Sequence, residues 1–208
     1  MLAILDYEAG NLTSVELAVK HVVGDCVVTK DQKEVERAER VIFPGVGAAK
    51  SAMANLQRFG LDRAIKDAVA SGKPVLAICI GLQLAFDFSE EDGGVDCLGL
   101  LPGKVKRFVF PPEKHVKIPH MGWNEITVTQ PHPLLKDVKP GDECYYVHSY
   151  YAEVEDESLL YCRTEYEGVN FTGAAGKDNF FATQFHPEKS GEVGLSILRN
   201  FLGWDGRA

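Results

Sequence analysis

The chain has 208 residues, 45% of them hydrophobic, and a formal net charge of -8. That length holds one α/β unit with a sizeable core and is short for two catalytic domains, so residues 1–208 are read as a single domain. The acidic balance, with no run of Lys or Arg, argues against a nucleic-acid or anionic-membrane surface and points to small soluble partners. Met1 to Leu5 is too short for the apolar region of a signal peptide. The longest apolar stretch, around Cys79, is interrupted by Gln83 and too short to span a bilayer, so a cytoplasmic protein is expected. Five cysteines, odd in number and without a C-x-x-C pair, suggest neither a disulfide framework nor a zinc site. Four of them, Cys26, Cys97, Cys144 and Cys162, read as packing residues.

In chain order, Leu2 to Asp6 is a short apolar strand, and after the turn at Gly10 and Asn11 the residues Leu12, Val15, Val19 and Val22 mark one face of a helix. Cys26–Thr29 and Val41–Phe43 are the next strands. A helix carrying Leu61, Ile65 and Ala68 stops at Gly72 and Pro74, and Val75–Ile78 then reads as a strand covered on both faces. Strands alternating with helices predict a doubly wound parallel sheet. After Gly93 the expected elements are mostly antiparallel strands appended to that sheet: Lys104–Phe108, Glu125–Thr129, Cys144–Ala152, Leu159–Thr164 and Phe180–Phe185. A final helix opens at Ser190, carries Val193, Ile197, Leu198 and Phe201, and closes before Gly203. The fold expected is a three-layer α/β/α arrangement with a mostly parallel central sheet and an antiparallel C-terminal portion.

Three segments carry chemistry. In V-L-A-I-C-I-G-L-Q-L-A-F the thiol of Cys79 falls between a buried strand and a helix, where Gly81 permits a sharp turn and the positive helix end favours thiolate. Taken alone, such a cysteine more often reads as a small buried hydrophobe. In F-F-A-T-Q-F-H-P-E-K-S, His186 and Glu188 lie two residues apart in extended chain and can face the same side, with Pro187 restricting both its own φ and the residue before it. A carboxylate beside an imidazole selects its tautomer and stabilises its protonated form, as a Cys–His pair requires for acyl transfer. Both segments end at strand C-termini, the edge where open α/β sheets bind ligands. In P-G-V-G, the glycines on either side of Val46 free its backbone N–H to meet a developing oxyanion, with the N–H of Ile80 as a second donor. The run from Gly45 to Ser51 is not a phosphate loop, because Ala49 stands where Gly must precede Lys50.

Together P-G-V-G, C-I-G-L-Q and F-H-P-E resemble the class I glutamine amidotransferases over essentially the whole chain. D-Y-x-x-G-N at Asp6–Asn11, P-H-M-G-W-N at Pro119–Asn124 and Y-Y-V-H-S-Y-Y at Tyr145–Tyr151 are similar to the members that serve as glutaminase subunits of imidazole glycerol phosphate synthases, in histidine biosynthesis. The resemblance implies hydrolysis of L-glutamine to L-glutamate and ammonia by Cys79 as nucleophile, His186 as base and then acid, and Glu188 as its orienter. It implies that Gly47, Gln83, Ser149 and Tyr150 hold the glutamine, without metal or cofactor. It also implies a heterodimer with a (β/α)8-barrel cyclase that receives the ammonia, touched by Asn11, Met121, Trp123, Tyr145 and Lys189. His120 and His148, beside aromatics, are expected to be structural or interfacial.

Two positions depart from the family pattern. Ala77 replaces the first Gly of G-x-C-x-G, so a methyl is expected to crowd the elbow, and Glu8 stands where the N-terminal turn usually has Gly, so a charge is expected to face the partner. Alternatives are a subunit feeding another acceptor, as in anthranilate or aminodeoxychorismate synthase, or a catalytically silent scaffold for the cyclase. P-H-M-G-W-N and the short chain argue against the other acceptors.

Overall fold

Residues 1–10 and 12–207 are described by a computed structural model. The apolar runs of the first half form β1 (Leu2–Leu5), β2 (Cys26–Thr29), β3 (Arg40–Phe43) and β4 (Val75–Ile78), all parallel in the spatial order β2-β1-β3-β4. Around them lie α1 (Thr13–Val23), α2 (Gln32–Arg37), α3 (Ala49–Phe59), α4 (Leu61–Ala70) and α5 (Ile80–Ala85). Two of these, α2 and α3, add to the expected elements. The buried face of α3 is Ala49, Ala52, Met53 and Leu56, helical in spacing but half alanine, so its apolar signal is faint. The six-residue α2 buries only Val35 and starts where the Asp31 carboxylate accepts the Lys33 N–H at 2.9 Å.

The second half supplies β5 (Phe88–Ser89), β6 (Val95–Asp96), β7 (Gly103–Arg107), β8 (His120–Glu125), β9 (Thr127–Val128), β10 (Glu143–His148) and β11 (Tyr150–Val154). It continues with β12 (Leu160–Tyr166), β13 (Val169–Lys177), β14 (Phe180–Thr183) and α6 (Gly191–Gly203). β14 lies parallel beside β4, and β13, β12 and β9 extend the sheet antiparallel to eight strands. Two smaller sheets, β10-β8 and β11-β7-β5-β6, flank it.

Several expected boundaries move. Cys144–Ala152 is two strands rather than one, because the chain leaves one sheet for another at Ser149. Glu125–Thr129 is divided by the buried Ile126 between β8 and β9. The nine-residue β13 has no counterpart in the sequence reading, since Gly173, Ala174, Ala175 and Gly176 lack strand propensity. Close packing requires those small residues: a Cβ on Gly176 would lie 2.8 Å from the Phe180 carbonyl oxygen.

Alternation along the central strands sends side chains to two cores. Val41, Phe43, Val75 and Ala77 pack with α3, α4 and α5, whereas Ile42, Leu76 and Ile78 join Leu2, Ile4 and residues of α1 and α6. Each fully buried Leu, Ile or Phe contributes roughly 1.5–3 kcal/mol, so both sheet faces are held firmly and the strand ends are fixed as a frame. Among the described residues no helix is long and apolar enough to cross a membrane.

Candidate active site

The C-terminal ends of β3, β4 and β14 lie side by side, and three chemically distinctive segments leave them. From β4 the chain turns at Cys79, whose φ of 56° and ψ of -105° are strained for a side-chain-bearing residue. Such backbone costs about 1–3 kcal/mol and persists only where surroundings impose it. Here the Cys79 N–H donates to the Thr183 carbonyl at 2.7 Å, and α5 begins at the next residue. Gly81 makes the turn sterically feasible, because a Cβ there would lie 2.3 Å from the Phe43 carbonyl oxygen. The expected crowding by Ala77 does not arise: its methyl is fully buried against the side where Gly81 has no Cβ, and the elbow forms around it.

His186 follows β14 in extended geometry, φ -97° and ψ 97°, as suits a residue before proline. Pro187 then opens a short 3-10 turn through Lys189, so Glu188 returns to His186 by a turn rather than along an extended chain. The His186 Nδ1 lies 2.7 Å from Glu188 Oε1, with both side chains almost wholly excluded from solvent. Burial works against the imidazolium, but the nearby Cys79 and the Glu188 carboxylate outweigh it and push the His186 pKa up to about 10. Among the described residues its Nε2 has no hydrogen-bond partner, which leaves that nitrogen available for a reacting group. Ser190 precedes α6 as expected but does not cap it with its side chain. Its hydroxyl donates to the His186 carbonyl at 2.6 Å and accepts the Tyr145 N–H at 3.0 Å, tying the histidine turn to β10.

A cleft of about 340 Å³ opens over Cys79. Gly47, Gln83, Ser149 and Tyr150 all line it, although the Gln83 amide nitrogen is already engaged by the Tyr150 carbonyl at 2.9 Å and by Gln184 Oε1 at 3.1 Å. Ile80 also lines it from the first turn of α5, where N–H groups lack intrahelical acceptors. Val46 departs from expectation: its N–H donates to the Ala9 carbonyl at 3.0 Å and is not offered to the cleft in this conformation. Three residues with polar side chains that line or adjoin the cleft escaped the sequence reading of the site. Glu91 brings a carboxylate, held by the Ala49 N–H at 2.6 Å and raised in pKa by burial. In the acidic turn S-E-E-D-G nothing local tells which carboxylate faces inward. His148, expected to be structural or interfacial, lines the cleft, and the buried Gln184 sends its Nε2 to within 3.8 Å of Cys79 Sγ.

Beyond the cleft, β8 exposes Met121 (60%) and Trp123 (53%), large apolar side chains on a protein surface. Trp123 meets Tyr145 edge-on at 6.3 Å, and Lys189 Nζ stands 5.9 Å over the Tyr145 ring, so three residues expected at one interface do gather on one face. Asn11 lies outside the described residues. Glu8, with φ 62°, directs its carboxylate to Arg58 and to Lys30 at 3.5 Å, into ion pairs within its own chain.

The sequence matches the glutamine amidotransferase class-I family over residues 4–203, and the chain belongs to that family. It is 44% identical to "Imidazole glycerol phosphate synthase subunit HisH" of Pseudomonas savastanoi pv. phaseolicola, over 99% of this chain and 98% of the relative. It is 45% identical to the HisH subunit of Bacillus cereus, over 98% of this chain and 94% of the relative, and within the class it groups with these HisH chains. Solved structures share the fold at low identity: a glutamine amidotransferase with TM-score 0.75 at 15% identity, covering 99% of this chain and 98% of that one. PurLQS from Thermotoga maritima aligns with TM-score 0.71 at 18% identity, over 97% of each chain.

Proposed function

We propose that this chain hydrolyses L-glutamine and delivers the ammonia to a (β/α)8-barrel cyclase, the two forming an imidazole glycerol phosphate synthase heterodimer of histidine biosynthesis in the cytoplasm. The observation that carries the chemistry is the strained Cys79 elbow beside a buried His186–Glu188 pair at 2.7 Å. The Cys79 thiolate attacks the glutamine amide carbon, and the His186 Nε2 proton passes to the departing ammonia. Water then cleaves the thioester with His186 as base, while Glu188 holds the Nδ1–H and orients the ring. The chemistry needs neither metal nor organic cofactor.

Ile80 supplies one oxyanion donor, and the backbone at Gly47, Ser149 and Tyr150 faces the rest of the glutamine. Glu91, a carboxylate in the same cleft, suits the substrate's α-ammonium. Val46 adds a second oxyanion donor only after its peptide turns away from Ala9, a change the flanking Gly45 and Gly47 permit. A missing donor of this kind is worth ~3 kcal/mol in the transition state, so glutamine hydrolysis is slow until the partner turns that peptide. The cyclase docks on the β8–β10 face through Met121, Trp123, Tyr145 and Lys189.

The test combines the purified chain with the cyclase subunit and its phosphoribosyl-formimino substrate and measures glutamine-dependent imidazole formation. Cys79→Ala is expected to abolish glutamate release while the complex still uses added ammonium. Glutamate release surviving in Cys79→Ala, or no imidazole formation with that substrate, overturns the reading.

A further inference from the structure

Polar groups between β8 and the elbow form two hydrogen-bonded branches that meet at the Tyr150 carbonyl. Asn124 Nδ2 reaches His120 Nε2 at 3.2 Å, His120 Nδ1 meets His148 Nε2 at 2.9 Å, and His148 Nδ1 meets the Tyr150 carbonyl at 2.8 Å. The same carbonyl accepts from Gln83 Nε2, which also donates to Gln184 Oε1, and Gln184 Nε2 lies 3.8 Å from Cys79 Sγ.

The direction of every link is forced from both ends. A carbonyl can only accept, so His148 carries its proton on Nδ1 and must accept at Nε2, which puts the His120 proton on Nδ1 and leaves its Nε2 an acceptor. At the outer end Asn124 is oriented independently: its Nδ2 donates to the Glu165 carbonyl at 2.9 Å and its Oδ1 accepts the Glu125 N–H at 2.8 Å, so nitrogen faces His120. At the inner end the Tyr150 carbonyl turns the Gln83 nitrogen toward itself. With that nitrogen donating to Gln184 Oε1, the remaining face of Gln184, its NH2 group, is the one presented to sulfur. Burial pushes His120 down to about 4 and His148 to about 3, so both rings are neutral at neutral pH and each keeps one donor and one acceptor. Protonating either ring would set two donors against each other.

We propose that the Tyr150 carbonyl, Gln83 and Gln184 form a positioning device for the nucleophile: together they lock Gln184 with an N–H toward Cys79 Sγ, where the bond favours the thiolate. It rests on the reading of Cys79 as nucleophile. Gln184 touches the reacting sulfur, whereas Gln83 acts only through Gln184. A charge-assisted bond is stronger than a neutral one, so loss of the donor matters most for the ionised thiol.

The test measures alkylation of Cys79 by iodoacetamide in the full chain, from about pH 5 to about pH 10, read by mass spectrometry of the Cys79 peptide. Gln184→Met keeps length and removes both amide functions. It is expected to slow alkylation about tenfold at neutral pH, to move the profile to higher pH, and to lower kcat for glutamine more than it raises KM. His120→Phe keeps the ring stacked on Tyr146 and Tyr166, 5.0 and 4.1 Å away, while removing both hydrogen bonds. Because the Tyr150 carbonyl orients Gln83 without the histidines, this control is expected to leave the alkylation profile in place. A purely structural role would lower the melting temperature and leave the alkylation profile in place. Folded Gln184→Met with the parental rate and profile overturns the proposal, and if that variant does not fold, Gln184→Glu, which keeps the shape and the acceptor for Gln83 but not the N–H toward sulfur, decides by the same readout. Glutamate release that survives Cys79→Ala removes the nucleophile itself, a failure distinct from an unmoved alkylation profile.

Discussion

The parallel edge β3–β4–β14 and the antiparallel pair β8–β10 border the same cleft and are built on opposite terms. On the parallel edge, polar groups sit at strand ends and the strands behind them are wholly apolar, buried on both faces. On β8, one face turns inward, with His120 buried, Asn124 half-buried and both in hydrogen bonds, while the other exposes Met121 and Trp123. A strand buried on both faces can hold a strained residue such as Cys79, because nothing around it can relax. A strand with one free face can meet a partner without disturbing its buried side. The strained residue and the exposed apolar pair thereby fall in differently packed parts of the molecule.

The largest expected effect comes from breaking the parallel edge. Glu188→Gln should lower kcat for glutamine hydrolysis about 10³-fold with the chain still folded, as stopped assays with the loaded partner would measure. The same variant tests a pH dependence. Burial disfavours charge on His186, yet Cys79 and Glu188 raise its pKa from 6.5 to about 10. A pKa raised in the folded state contributes stability that is complete below pH 6.5 and fades as pH climbs toward about 10, so denaturant midpoints should fall across that window and fall less in Glu188→Gln.

Next in size, Gly81→Ala drives a Cβ against the Phe43 carbonyl oxygen, a backbone atom that cannot step aside. Unfolding in urea should show a loss of about 3 kcal/mol. Trp123→Ala probes the other region: it should weaken cyclase binding roughly thirtyfold by calorimetry and leave the unfolding midpoint of the isolated chain unchanged. A large loss of stability there would dissolve the distinction between reacting and docking regions. Ala77→Gly is the smallest, about 1 kcal/mol of lost stability from a removed buried methyl and a looser backbone.

Much of the site was legible because its determinants are local. An apolar run followed by Cys79 and Gly81 specifies a strand and a sharp turn, and Pro187 restricts both itself and His186. The helix faces of Val15 and Val19, and of Leu61, Ile65 and Ala68, follow from spacing that branched and long apolar side chains make visible. Where those side chains are replaced by small ones the signal fades: α3 hides behind Ala49 and Ala52, and β13 behind its glycines and alanines.

What the sequence by itself determined is the alternating α/β layout, the strand-end position of the thiol and the pairing of His186 with Glu188, each set by residues a few positions apart. Only the tertiary structure decided that the Val46 N–H is held by Ala9, that Glu91 rather than its acidic neighbours enters the cleft, and that Gln184 faces the sulfur. It also decided that Glu8, at a turn expected to face outward, is held by Arg58 and Lys30. Each of these depends on which distant backbone carbonyl or charge lies within hydrogen-bond reach. Side-chain and peptide orientation follow from such long-range partners, and spacing along the chain carries no record of them.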